Sequence, residues 1–131
     1  MAREITVTGS KKVATLMKEF NENFPYLRLI VCPPEAKALV AKGETIYSVD
    51  IEKTLSEVRT KLGTGKISIS GNKKISTLER EFEEVFGLYV QICYTTKDGK
   101  RYYTSGSMDS KTLSALNSDN EKAGCLKNEW K

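Results

Sequence analysis

Two lysine pairs sit in matching turns, Gly9-Ser10-Lys11-Lys12 and Gly71-Asn72-Lys73-Lys74. Each turn follows a strand-like run and precedes a helical pattern. Free backbone amides and the positive end of a helix dipole converge at such a junction, and the lysines add charge. That chemistry suits an anion, and two turns could grip two phosphates of one ligand or backbone. The same residue types also serve any strand-to-helix turn, which needs a glycine, a small polar residue and solvated lysines. The turns lack the further glycines of a P-loop or a dinucleotide fingerprint.

A second cluster lies in residues 94–103, YTTKDGKRYY. Lys97, Lys100 and Arg101 alternate there with Tyr94, Tyr102 and Tyr103. Positive charge beside flat aromatic rings suits single-stranded nucleic acid, through phosphate attraction and base stacking. Tyrosine is also a good strand residue that packs across a hairpin. The chain has no RNP-type signature. An acidic run, Glu79, Glu81, Glu83 and Glu84, reads as a solvated helix face that repels nucleic acid and could receive a basic partner. The one tryptophan, Trp130, is next to last in the chain and is a candidate partner contact, or a plug for a groove on its own fold.

Catalytic chemistry finds little support. The chain has no histidine, which removes the commonest general base and the commonest transition-metal ligand. Cys32, Cys93 and Cys125 are an odd number with wide spacing, which makes neither a disulfide framework nor a metal knuckle. Cys32 and Cys93 fall in apolar strand-like runs, where a thiol behaves as a small core residue. No serine, threonine or cysteine has a histidine to activate it.

These clusters hang on a duplicated frame. Residues 5–24, ITVTGSKKVATLMKEFNENF, return as residues 67–86, ISISGNKKISTLEREFEEVF, without a gap and with ten of twenty positions identical. Ile5 and Val7 alternate with threonines as a half-buried strand. Val13, Leu16, Met17, Phe20 and Phe24 recur at spacings of three and four, which predicts a helix over 12–23, closed by Pro25. Leu27, Leu29 and Val31 form a second strand, stopped by Pro33-Pro34. Residues 35–43 read as a short helical turn or loop, and 44–49 as a short strand. Ile51, Leu55, Val58 and Leu62 predict a helix capped by Asp50.

In the second copy Ser76 and Glu79 have capping-box spacing. After Phe86 the register slips by one residue, and Val90, Ile92 and Tyr94 match Leu27, Leu29 and Val31. Lys97 to Lys100 is a hairpin turn. Lys111-Thr112-Leu113-Ser114 echoes Lys53-Thr54-Leu55-Ser56, which predicts a second, shorter helix. Asn117 to Asn120 reads as loop.

The duplicated stretch, with its KKVATL and KKISTL cores, resembles small uncharacterised bacterial proteins of the Bacteroides type. The resemblance covers the two strand–helix segments and, less clearly, the KTLS segments. It implies a duplicated β-α-β-β unit and carries no activity, cofactor or site residue.

The expected fold is therefore α+β: a tandem duplication of two β-α-β-β-α units, residues 1–65 and 66–131, in ferredoxin-like order with pseudo-twofold symmetry. Units of about sixty residues bury too little surface to be comfortable alone, so a shared core is expected. The β1-α1-β2 crossover would be right-handed if its strands lay parallel in one sheet.

The chain is 131 residues long, 39% hydrophobic, 29% charged and carries a net charge of +4. It has no run long and apolar enough to span a bilayer, and its first residues lack an apolar signal region, so a cytoplasmic location is expected. The expected function is a non-enzymatic binding or adaptor protein acting through protein–protein contacts, without cofactor. Nucleic-acid binding through the lysine turns and the 94–103 hairpin is the alternative, and homo-oligomers could form through sheet edges.

Overall fold

The computed structural model describes residues 4–44, 46–61, 65–104 and 106–127. Alternating apolar residues make β1 (Ile5–Val7), whose Ile5 and Val7 point inward. The apolar stripe that follows makes α1 (Val13–Asn23), and β2 spans Arg28–Cys32. A short helix, α2 (Ala36–Ala41), and a single turn, α3 (Leu55–Val58), complete the first copy. The second copy runs β3 (Ile67–Ile69), α4 (Ile75–Phe86), β4 (Tyr89–Thr95) and β5 (Arg101–Tyr103). A 3-10 turn (Gly106–Ser110) then leads into α5 (Leu113–Lys122).

The fold is α+β, and both of its ladders join one copy to the other. β1 pairs antiparallel with β3, Thr6 standing opposite Ser68. β2 pairs antiparallel with β4, Leu29 standing opposite Ile92. In each ladder one pair, Thr6–Ser68 and Leu29–Ile92, consists of the same position from the two copies. A pseudo-twofold axis therefore passes through both pairs. β5 adds to β4 through a hairpin and closes the sheet in the order β2-β4-β5.

The inward faces fuse into one core. Phe20 and Phe24 of the first copy and Phe82 and Phe86 of the second are buried in the same cluster as Leu29, Val31, Val90 and Ile92. Phe20 meets Phe24 with ring centroids 5.1 Å apart, and Phe82 meets Phe86 at 5.7 Å. A fully buried side chain of this size contributes about 1.5–3 kcal/mol. Neither copy could bury its stripe alone, because the opposite half supplies the other wall.

The copies also exchange arms. In the echoed segments, Arg59 and Asn117 occupy equivalent positions, five residues after Thr54 and Thr112. Arg59 donates from Nη2 to the Val85 carbonyl at 2.7 Å and lies over the Phe86 ring, 4.8 Å from its centroid. Asn117 Oδ1 accepts from the Tyr26 amide at 2.8 Å. Each copy thus ties down the chain leaving the other copy's long helix.

Several sequence expectations change. Elements follow the ferredoxin-like order only loosely. β1 and β2 lie in different ladders, so the condition for a right-handed crossover within one sheet is not met. The described residues of 44–49 form no strand; Val49 alone donates to the Val31 carbonyl, at 2.9 Å. The helix expected from Asp50 begins only at Leu55, with Thr54 as its N-cap residue in a capping box with Glu57. It ends at Arg59, which turns extended to reach Val85. Asp50 instead accepts the Glu52 amide.

The second copy's last helix is the longer one, ten residues against four, and it includes Asn117 to Asn120. Asn120 is buried and Asn117 is bonded across to Tyr26, so partners from the first copy hold this polar stretch helical. Ser76 does not cap α4: Lys74 is the N-cap residue, and Ser76 lies inside the helix.

Candidate functional site

The lysine turns are braced from within. In the first copy Leu55 N–H bonds to the Lys11 carbonyl, Ser56 N–H to the Gly9 carbonyl, and Val13 N–H to the Lys53 carbonyl. The second copy repeats the pattern with Leu113 to Lys73, Ser114 to Gly71, and Ile75 to Lys111. A Cβ on Gly9 or Gly71 would run into the Ser56 or Ser114 hydroxyl, which explains the repeated glycine.

The first helical amides, those of Val13, Ala14 and Ile75, are therefore already bonded, and the geometry offers an anion little there. Lys11 is paired with Glu19, and Lys73 with Glu81 and the Ser68 carbonyl. Lys12 and Lys74 remain exposed. Glu19 and Glu81, eight positions after Lys11 and Lys73, are thus the partners of the first lysine of each turn.

The 94–103 hairpin stands open. β5 is the outer strand, and Arg101, Tyr102 and Tyr103 are all exposed. Tyr102 is 46% and Tyr103 38% accessible. Tyr102 leans on Tyr94 with centroids 6.0 Å apart. Lys97 and Lys100 flank the turn, where Gly99 takes a φ of +84°. Asp98, the acidic residue of the turn, accepts from the Thr96 hydroxyl and from Lys100 N–H, which hold its carboxyl below the usual range. The hairpin thus brings together five of the expected site residues, Lys97, Lys100, Arg101, Tyr102 and Tyr103. The lysine turns contribute none to it. Trp130 lies outside the described residues.

A third feature escaped sequence reasoning. Between α2 and α4 lies an open groove of about 320 Å³, lined by Lys37, Ser76, Glu79, Arg80, Glu83 and Tyr89. Glu79 occupies the core-facing position held by Met17 in the first copy. Burial, and then the nearby Asp109, push its carboxyl up to about 7 against the pull of Lys37. The Tyr89 phenol is pushed up to about 12, chiefly by burial and then by Glu79. It donates to Gln91 Oε1 at 2.7 Å. The rest of the acidic run has partners: Glu83 meets Lys37 at 3.5 Å and Glu84 meets Arg80 at 3.8 Å.

Glu79 can exchange a proton near neutrality. Ser76, Arg80, Glu83 and Lys37 are exposed, so water reaches the groove freely. The signal was present in the repeat itself, where one charged residue breaks an otherwise apolar stripe.

The thiols are poor nucleophiles. Burial pushes Cys32 up to about 12 and raises Cys93 and Cys125 as well. Among the described residues no three Cys, Asp or Glu side chains are grouped to hold a metal. No helix there is long and apolar enough to cross a membrane. Compared with known proteins, the chain matches no family model, no curated sequence and no solved structure.

Proposed function

We propose that the protein is a non-enzymatic binding module that docks a protein partner along the outer edge of β5. One observation carries the reading: β5 is exposed, short and unpaired on its far side among the described strands, with two large tyrosines at the surface. An open edge offers main-chain donors and acceptors to an added strand. The opposite edge is less inviting, because residues before α3 run beside β2 and Val49 already bonds to Val31. A photo-crosslinking residue placed at Tyr103 in the native cells should capture protein. The same residue at Tyr47, which is more exposed than Tyr103 but remote in sequence, should not. Protein capture at both sites, or at neither, contradicts the reading.

A second reading has its own observation, the grouping of Lys97, Lys100 and Arg101 with two exposed tyrosines on one hairpin. It makes the protein a single-stranded nucleic-acid binder. It expects affinity that falls steeply with salt and drops at least tenfold in a Lys100→Glu, Arg101→Glu double variant. Substitution of Lys11 or Lys73 should matter much less, since both are engaged within the fold. A flat salt response would remove this reading.

A further inference from the structure

The hydrogen-bond phase of the hairpin decides which groups face the partner. Thr96 N–H bonds to the Lys100 carbonyl and Thr104 N–H to the Ile92 carbonyl, both at 2.9 Å. In an antiparallel pair, bonded and non-bonded positions alternate. Tyr102, opposite Tyr94, is thus bonded to β4, while Arg101 and Tyr103 turn their N–H and C=O groups outward. Side chains alternate too. Arg101 and Tyr103 share a face with Cys93 and with Arg28, which stands opposite Cys93 on β2. Tyr102 shares the other face with Tyr94.

Charge fixes the chemistry of the added strand. Residues 96–104 hold three basic side chains and one acidic one, Asp98, which is engaged by Thr96 and Lys100. A second copy of this hairpin would set like charges side by side, which is unfavourable across strands.

Building on the β5 reading above, we infer that the edge takes an extended acidic segment of a protein partner as a fourth strand. Acidic side chains would lie beside Arg101, and apolar ones beside Tyr102. The main chain of Arg101 and Tyr103 supplies two donors and two acceptors. Cross-strand opposite-charge pairs add about 0.2–1 kcal/mol each.

The test uses the full chain and three capped, dye-labelled five-residue peptides. One alternates glutamate with valine, one lysine with valine, and one serine with valine. Binding is read by anisotropy, and site by amide exchange. The glutamate peptide should bind at least fivefold tighter than the serine peptide and slow exchange at Arg101 and Tyr103 while leaving Tyr102 unchanged. Arg101→Glu should erase that preference. Tyr103→Pro removes an outward N–H, a change an edge strand tolerates, and should weaken all binding at least fivefold. Exchange on the unaltered protein serves as the readout should that variant not fold.

Equal protection by all three peptides overturns the acidic preference and leaves edge docking standing. No protection by any peptide overturns both. Protection by oligothymidylate alone overturns both in favour of nucleic acid. Concentration-dependent protection without peptide assigns the edge to a second copy instead, and likewise overturns the inference.

Discussion

Replacing Glu79 with methionine should stabilise the protein by an amount that depends on pH. The position is the twin of Met17, which is buried in the shared core. Glu79 titrates at about 7 rather than its ordinary 4.5, because burial and Asp109 outweigh Lys37. The folded carboxyl therefore holds its proton more tightly than the unfolded one. Its contribution is fully present below about pH 4.5 and is lost as pH rises through about 7. At 1.36 kcal/mol per pH unit, the rise corresponds to ~3.4 kcal/mol. Partial exposure screens the charge, and halving the figure leaves roughly 1.7 kcal/mol, most of it lost between pH 5 and pH 8.5.

Urea unfolding of wild type, Glu79→Met and Glu79→Gln at pH 5 and pH 8.5 measures this directly. The advantage of Glu79→Met over wild type should be about 1.5 kcal/mol larger at pH 8.5. Glu79→Gln should share the pH dependence without the methionine's apolar gain. An advantage equal at the two pH values would refute the reasoning.

Other substitutions probe the frame. Gly87 closes α4 at a φ of +65°, with the Lys61 backbone nitrogen 3.1 Å from where a Cβ would stand; Gly87→Ala should cost about 1–2 kcal/mol in chemical unfolding. Asn117→Ala leaves the Tyr26 amide without its acceptor and should cost about 1–2 kcal/mol, seen as a lower urea midpoint. Phe82→Ala should cost about 3–5 kcal/mol, and amide exchange should report equal loss of protection in both copies, because the core is continuous between them.

The repeat made much of the architecture legible. The strands at Ile5 and Ile67, both long helices and the Lys97–Lys100 hairpin turn all follow from local pattern. Contacts between the copies decided what local pattern could not. Ile51, Leu55, Val58 and Leu62 keep clean helical spacing, yet only Leu55–Val58 is helical. The residues before it pair with the lysine turn, and Arg59 to Lys61 are drawn to the end of α4. Conversely, Asn117 and Asn120 look loop-like in isolation and become helical by bonding Tyr26, 91 and 94 residues away in sequence. Of the candidate sites, the hairpin was legible because its charge and aromatics are contiguous. Of the Glu79 groove the repeat shows only one charged residue in an apolar stripe; the opposite wall, at Lys37 of α2, comes from the other copy and is not written in that stripe.

The central structural claim is that the two copies pair with each other in both ladders, antiparallel about one shared position in each. Nuclear Overhauser contacts in the unmodified protein test it most directly. Backbone contacts linking Thr6 with Ser68 and Leu29 with Ile92 are the predicted result. Contacts joining β1 to β2 within one copy, without those cross-copy pairs, would contradict it.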